Sequence, residues 1–166
     1  MDFEMHNRHL VLGGGDLHRS DPGSGGTAAS VASDSTSNQV TRTILLVEDE
    51  AFVREVAYEV LSRAGYRVLT AGNATEALQA FREHAGAVQL LLTDVVLPDR
   101  NGCDLALELA ALCDGVKSIF VSGYPENSIT RRGLRQPGWL YLPKPFSVAV
   151  LMQKIKEALP DENLPS

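Results

Sequence analysis

Five polar residues stand where apolar runs stop. Glu48 and Asp49 follow 44–47, Asp94 closes 90–93, Ser122 closes 118–121 and Lys144 follows 139–142. Three carboxylates brought together repel one another strongly, and a hard divalent cation relieves that repulsion. Mg²⁺ suits such a place because it accepts one or two carboxylates while keeping waters or phosphate oxygens. A carboxylate nucleophile, a cation, a hydroxyl donor and an ammonium make a site for phosphoryl transfer, which needs positioning and charge neutralisation. Taken singly, each residue has a plainer reading. Glu48 and Asp49 suit the N-terminal dipole of a helix, and a Ser closing a strand suits a turn. Lys144, held between Pro143 and Pro145, is an unusual place for a casual surface charge, and Pro145 is compatible with a cis bond that fixes its direction. The chemistry therefore depends on whether these strand ends share one edge.

The elements that must position them follow from the apolar pattern. The run from Leu90 to Asp94 is continuous, as in a strand buried on both faces of a parallel sheet, and Pro98 and Gly102 force a loop after it. Further strands are expected at 44–47, 66–70, 118–121 and 139–142. Phe52, Val53, Val56, Ala57, Val60, Leu61 and Ala64 recur at helical spacing, and Gly65 stops that helix. Asn73 with Glu76 resembles a capping box, opening a helix that turns Ala77, Leu78 and Phe81 inward. A third helix spans 103–112, and a weaker one spans 126–134. Ser147 caps the last, with Val148, Leu151, Met152, Ile155 and Leu159 on its buried stripe.

Five βα units predict a single α/β, flavodoxin-like, doubly wound domain: a five-stranded parallel sheet of order 2-1-3-4-5 with five helices. The switch point of that order lies between the first and third strands, and ligands bind there outside the carboxyl ends. Glu48, Asp49 and Asp94 converge at that point, which makes the cation reading stronger than the capping reading.

Composition sets the bounds. At 166 residues and 44% hydrophobic content the chain can bury one sizeable core. A formal charge of −6 argues against nonspecific binding to nucleic acid or anionic membrane. No apolar run approaches the ~20 residues of a membrane span, and the N-terminus lacks the order of a secretory signal, so a cytoplasmic location is expected. Cys103 and Cys113 lie about 15 Å apart along one helix, too far for a disulfide, and read as buried thiols. Residues 1–42 are rich in Gly, Ser, Thr, Asp and Ala and read as a disordered tail or linker; the domain is expected over 43–159, with a short tail at 160–166. His6 and His9 in that tail are no convincing metal pair. Its glycines lack the Lys-Ser/Thr of a phosphate loop.

Val47-Glu48-Asp49-Glu50, Thr93-Asp94 with Leu97-Pro98 and Gly102, Val121-Ser122-Gly123 and Lys144-Pro145-Phe146 resemble the response-regulator receiver domain of two-component signalling. The likeness runs in order and spacing from about Ile44 to Leu159. It implies that Asp94 is the phosphoacceptor, taking a phosphoryl group from a phosphohistidine. Asp49 and Asp94 would bind Mg²⁺ with the backbone carbonyl of Val96, Glu48 would act through water, and Ser122 and Lys144 would hold phosphoryl oxygens. Tyr141 matches the switch aromatic. Phosphorylation adds about −1.5 to −2 charge beside the metal. Ser122 would follow that charge, Tyr141 would fill the space vacated, and the face made by 126–134, the fifth strand and the last helix would change. Arg131, Arg132 and Arg135 make that face basic, as a solvated helix or as a surface for an acidic partner. Val96 and Tyr124 flank the path of attacking water in this family, so slow self-dephosphorylation is expected.

The implied partners are a histidine kinase or histidine phosphotransfer domain and a downstream protein. No helix-turn-helix segment is present, so direct DNA binding is not expected. The Ser122-Gly123-Tyr124-Pro125 and Leu142-Pro143-Lys144-Pro145-Phe146 runs look like receivers at the C-terminal end of hybrid sensor kinases, with a stand-alone regulator as the other possibility. Two readings from other classes compete. An aspartyl-phosphate hydrolase usually carries a second acid two residues past the nucleophile, where this chain has Val96. A phosphorylation-independent pseudo-receiver would lack one of the acids, the hydroxyl or the lysine.

Overall fold

Apolar runs in this chain are bounded by helix stops, caps or turns, so strands and helices alternate over residues 43–122. The computed structural model describes residues 41–84, 86–123 and 136–160. In chain order they form β1 (Thr43–Val47), α1 (Ala51–Arg63), β2 (Arg67–Ala71), α2 (Ala74–Glu83), β3 (Val88–Asp94) and α3 (Gly102–Leu112). After these come β4 (Lys117–Ser122), β5 (Trp139–Pro143) and α4 (Val148–Ala158). All strand pairs are parallel and the order is β2-β1-β3-β4-β5, as the alternation predicts. The helix expected over 126–134 lies outside the described residues, so four of the five expected helices are described.

The central strands β1, β3 and β4 are buried on both faces, which is why their sequences read as unbroken apolar runs rather than alternating ones. Their side chains still divide by parity. Leu45, Val47, Leu91 and Phe120 pack with Ala77, Leu78 and Phe81 of α2 and Leu105 and Leu109 of α3. Ile44, Leu46, Leu90, Leu92, Ile119 and Val121 pack on the other face with Leu61 of α1 and Leu151 and Ile155 of α4. One register thus fills two cores, and a one-residue slip would exchange them.

The local stops behave as the sequence indicates. Gly65 takes φ 93°, its N–H bonds Ser62 O at 3.0 Å, and Tyr66 N bonds Leu61 O at 3.2 Å. This pairing satisfies the last carbonyls of α1 with a glycine in the left-handed region. It also moves β2 one residue on from the expected 66–70, because the Tyr66 amide is spent on the helix and Arg67 N is the first to join the strand edge, at Arg42 O. Asn73 accepts from Glu76 N at 2.8 Å and Ser147 accepts from Val150 N at 3.3 Å, as their spacing predicts.

One expected buried stripe needs correction, and the first helix buries less of its apolar arc than its spacing would allow. In α1 only Leu61 is fully buried, and Phe52 and Val56 are exposed. The seven apolar positions cover about half the helix circumference, more than one sheet face can hide. The Ala57–Leu61 side faces the sheet, and the Phe52–Val56 edge does not. Val148 is likewise exposed, since α4 meets the sheet from Leu151 onward. Cys103 is buried and Cys113 half-buried, and neither is in a disulfide. Among the described residues no helix is long and apolar enough to cross a membrane.

Candidate functional site

The parallel register decides which polar residues meet. Val47 pairs with Thr93, Asp94 with Val121, and Ser122 with Pro143, so the residues that close β3 and β4 and those that follow β1 and β5 arrive at one carboxyl edge. Hydrogen bonds extend the strands past their ends: Glu48 N to Ala71 O at 3.1 Å, Val95 N to Val121 O at 3.0 Å and Lys144 N to Ser122 O at 2.8 Å. These bonds fix the backbone under each functional side chain. The carboxylate oxygens of Glu48, Asp49 and Asp94 come within 4.8 Å of one another. Glu48 and Asp94 are buried, whereas Asp49 opens to solvent.

Lys144 answers two of these acids. Its Nζ lies 2.9 Å from Asp94 Oδ1, donates to Oδ2 at 3.0 Å, and stands 3.5 Å from Glu48 Oε2. The Lys144–Pro145 peptide is cis. Burial works against the ammonium charge, but the hydrogen bond and charge of Asp94, followed by Glu48, outweigh it and raise the Lys144 pKa above its usual value. Glu48 behaves differently. Burial and then the Asp94 charge push its pKa up to about 7, although Glu50 N donates to its Oε1 at 3.2 Å and Lys144 attracts it. One ammonium therefore does not balance three gathered acids. The uncompensated charge and the all-oxygen donor set match a hard divalent cation.

Ser122 ends β4, buried, at this edge. Tyr141 is half-buried one strand over, with its ring 5.5 Å from Phe120 in a stacked arrangement; Trp139 meets the same ring at 4.6 Å. Val96 stands 64% exposed in the loop after Asp94. Tyr124, Arg131, Arg132 and Arg135 lie outside the described residues.

Gly102 is needed where it stands. A Cβ there would fall onto the backbone carbonyl oxygen of Asp94 and within 3.2 Å of Thr93 Cγ2. The chain returns to β3 through Gly102 N, which bonds Val95 O at 2.8 Å, before α3 begins with the Asn101 side chain accepting from Cys103 N.

Two participants escape a reading of the sequence. Asp99 accepts from Ala74 N at 3.0 Å and from Thr75 N and Oγ1 at 2.9 and 2.8 Å, tying the loop after Asp94 to the first turn of α2. These bonds, led by that from Ala74, hold its pKa down at about 2. In the sequence Asp99 is only a turn residue after Pro98, and nothing local marks a partner 25 positions away. Arg54 donates to the Glu48 and Asp49 carbonyls at 2.5 and 3.4 Å, and a helical arginine signals nothing of the kind.

Comparisons with known proteins bear on the family and the fold. A family model described as the response regulator receiver domain matches residues 44–156. The sensor kinase CckA of Brucella abortus (strain 2308) is 40% identical over 117 residues, which cover 70% of this chain and 12% of that protein. The DNA-binding transcriptional regulator NtrC of Azospirillum brasilense is 31% identical over 124 residues, 75% of this chain and 25% of that protein. The crystal structure of the receiver domain from the hybrid histidine kinase CckA has a TM-score of 0.62 at 35% identity and covers 70% of this chain and 98% of that one. The chain thus spans a quarter or less of these two full-length relatives.

Proposed function

Because the chain belongs to the response-regulator receiver family of two-component signalling, we propose that it accepts a phosphoryl group on Asp94 from a phosphohistidine and signals by the resulting change in charge. The observation that carries this reading is the convergence of three carboxylates within 4.8 Å, with Lys144 Nζ 2.9 Å from Asp94. In the step, a carboxylate oxygen of Asp94 attacks phosphorus and the P–N bond breaks. Its electron pair leaves with the imidazole, which takes up a proton. Lys144 pairs with Asp94 beforehand and turns to a phosphoryl oxygen afterwards. The Ser122 hydroxyl donates to another of those oxygens.

Asp49, Asp94 and the Val96 carbonyl would hold Mg²⁺, with Glu48 acting through water. When bound, the cation neutralises the acids and the incoming oxygens. Ser122 reports the new phosphate, and Tyr141, already against Phe120, adjusts its packing. The donor is a histidine kinase or a phosphotransfer domain, and the output passes to another protein. The likeness to the CckA receiver supports an origin beside a hybrid kinase. The exposed apolar Val96 offers attacking water no base, which favours a long-lived phosphate.

The test is incubation with Mg²⁺ and a small phosphodonor, followed by intact mass. Wild type should gain one phosphoryl group, about 80 Da, and Asp94→Ala should gain none. Absence of that species in wild type would favour a binding module that works without phosphorylation, and rapid turnover would favour a hydrolase.

A further inference from the structure

We propose that Arg54 is a positioning residue that sets the backbone of the acid pair from behind, an inference that rests on the receiver reading above. Arg54 lies in the first turns of α1, half-buried. Its Nη1 donates to the carbonyl of Glu48 at 2.5 Å and reaches the carbonyl of Asp49 at 3.4 Å. These carbonyls belong to the two residues whose side chains enter the cluster beside Asp94. Holding them fixes the peptide planes from which those side chains leave.

The need for such a clamp follows from the charges. Lys144 pairs with Asp94 and Glu48. Among the described residues no cation reaches the Asp49 carboxylate, which is exposed. Repulsion from its two neighbours would swing the loop outward, and only the backbone resists. A guanidinium answers this better than an ammonium, because its planar fork aims donors without losing much freedom.

A second, independent feature seats the guanidinium. A Cβ on Gly72 would lie 3.4 Å from Arg54 Nη1 and 3.3 Å from Glu76 Oε2, so a methyl there would just touch the guanidinium and a larger side chain would press on it. Glu76 is itself held there, since Gly72 N donates to Oε2 at 2.7 Å. The turn after β2 thereby supports the turn after β1, alongside the Glu48 N to Ala71 O bond.

The experiment is calorimetric titration of the full chain with Mg²⁺, with thermal midpoints taken in EDTA. Arg54→Ala should weaken Mg²⁺ binding about tenfold, as loss of a supporting contact to metal ligands does, with a small change in midpoint. Arg54→Lys should recover part of the loss. Gly72→Val, which displaces the guanidinium without removing its charge, should reproduce the loss, and the double variant should be no worse than Arg54→Ala. If the arginine acted only as a nearby positive charge, Arg54→Ala would bind Mg²⁺ as well as wild type or more tightly, and that result overturns the proposal alone. Absence of Mg²⁺ binding by wild type overturns the receiver reading, and this inference with it.

Discussion

The charge on Glu48 should set the stability of the cation-free domain. Glu48 is 7% exposed, and its pKa stands at about 7 instead of 4.5. A folded-state pKa above the unfolded value means that the folded protein holds more protons across this interval. Stability is therefore greatest at the acid end and declines as pH rises from about 4.5 to about 7. Full ionisation costs on the order of 3 kcal/mol, the equivalent of that displacement, out of the roughly 5–15 kcal/mol that holds a domain folded. Glu48→Gln keeps the size and an acceptor for Glu50 N–H while removing the charge. In EDTA the variant should match wild type near pH 4.5 and exceed it at pH 8 by about 3 kcal/mol, or roughly 10 °C in midpoint. Saturating Mg²⁺ should reverse the order, raising wild type more than the variant because the Glu48 charge then faces a cation. Thermal midpoints from pH 4.5 to 8, with and without Mg²⁺, read both effects. A gap that stays constant with pH in EDTA would refute the assignment of this cost to Glu48 ionisation.

Asp99 should behave in the opposite sense. Its pKa is lowered to about 2 by the amides of α2, so its contribution is present above the ordinary aspartate value of 3.8 and is lost as pH falls toward 2. Asp99→Asn should lower the melting midpoint at neutral pH, and the difference from wild type should shrink across that acid interval. Gly102→Ala forces a methyl onto the Asp94 carbonyl and should destabilise the fold by about 1–3 kcal/mol or more in urea denaturation. It should also slow phosphoryl acceptance, since relief requires moving Asp94; wild-type stability in this variant would exclude the close approach.

How far the site could be read in advance depends on the range of each interaction. Asn73 with Glu76, Ser147 and Gly65 act within a few residues, and their spacing is enough to place the caps and stops. Phe52, Val56 and Val148 match a buried pattern yet face solvent, because periodicity defines an apolar arc but not which part of it the sheet covers. Asp99 and Arg54 are invisible in advance for a related reason. Their partners are backbone groups, which carry no side-chain signature, in segments brought near only by folding.

The order of apolar runs points by itself to a parallel α/β sheet, and right-handed crossovers leave few arrangements, of which the order 2-1-3-4-5 brings Asp94 beside Glu48 and Asp49. Residue type then supplies the chemistry of that edge. The tertiary structure alone decided the electrical state of the site: that Lys144 sits on Asp94 and reaches Glu48 only at 3.5 Å, and that Glu48 is buried enough to hold its proton to about pH 7. The physical reason is that pKa values depend on distances of a few ångströms and on the exclusion of water, and both are set by packing between elements far apart in the chain.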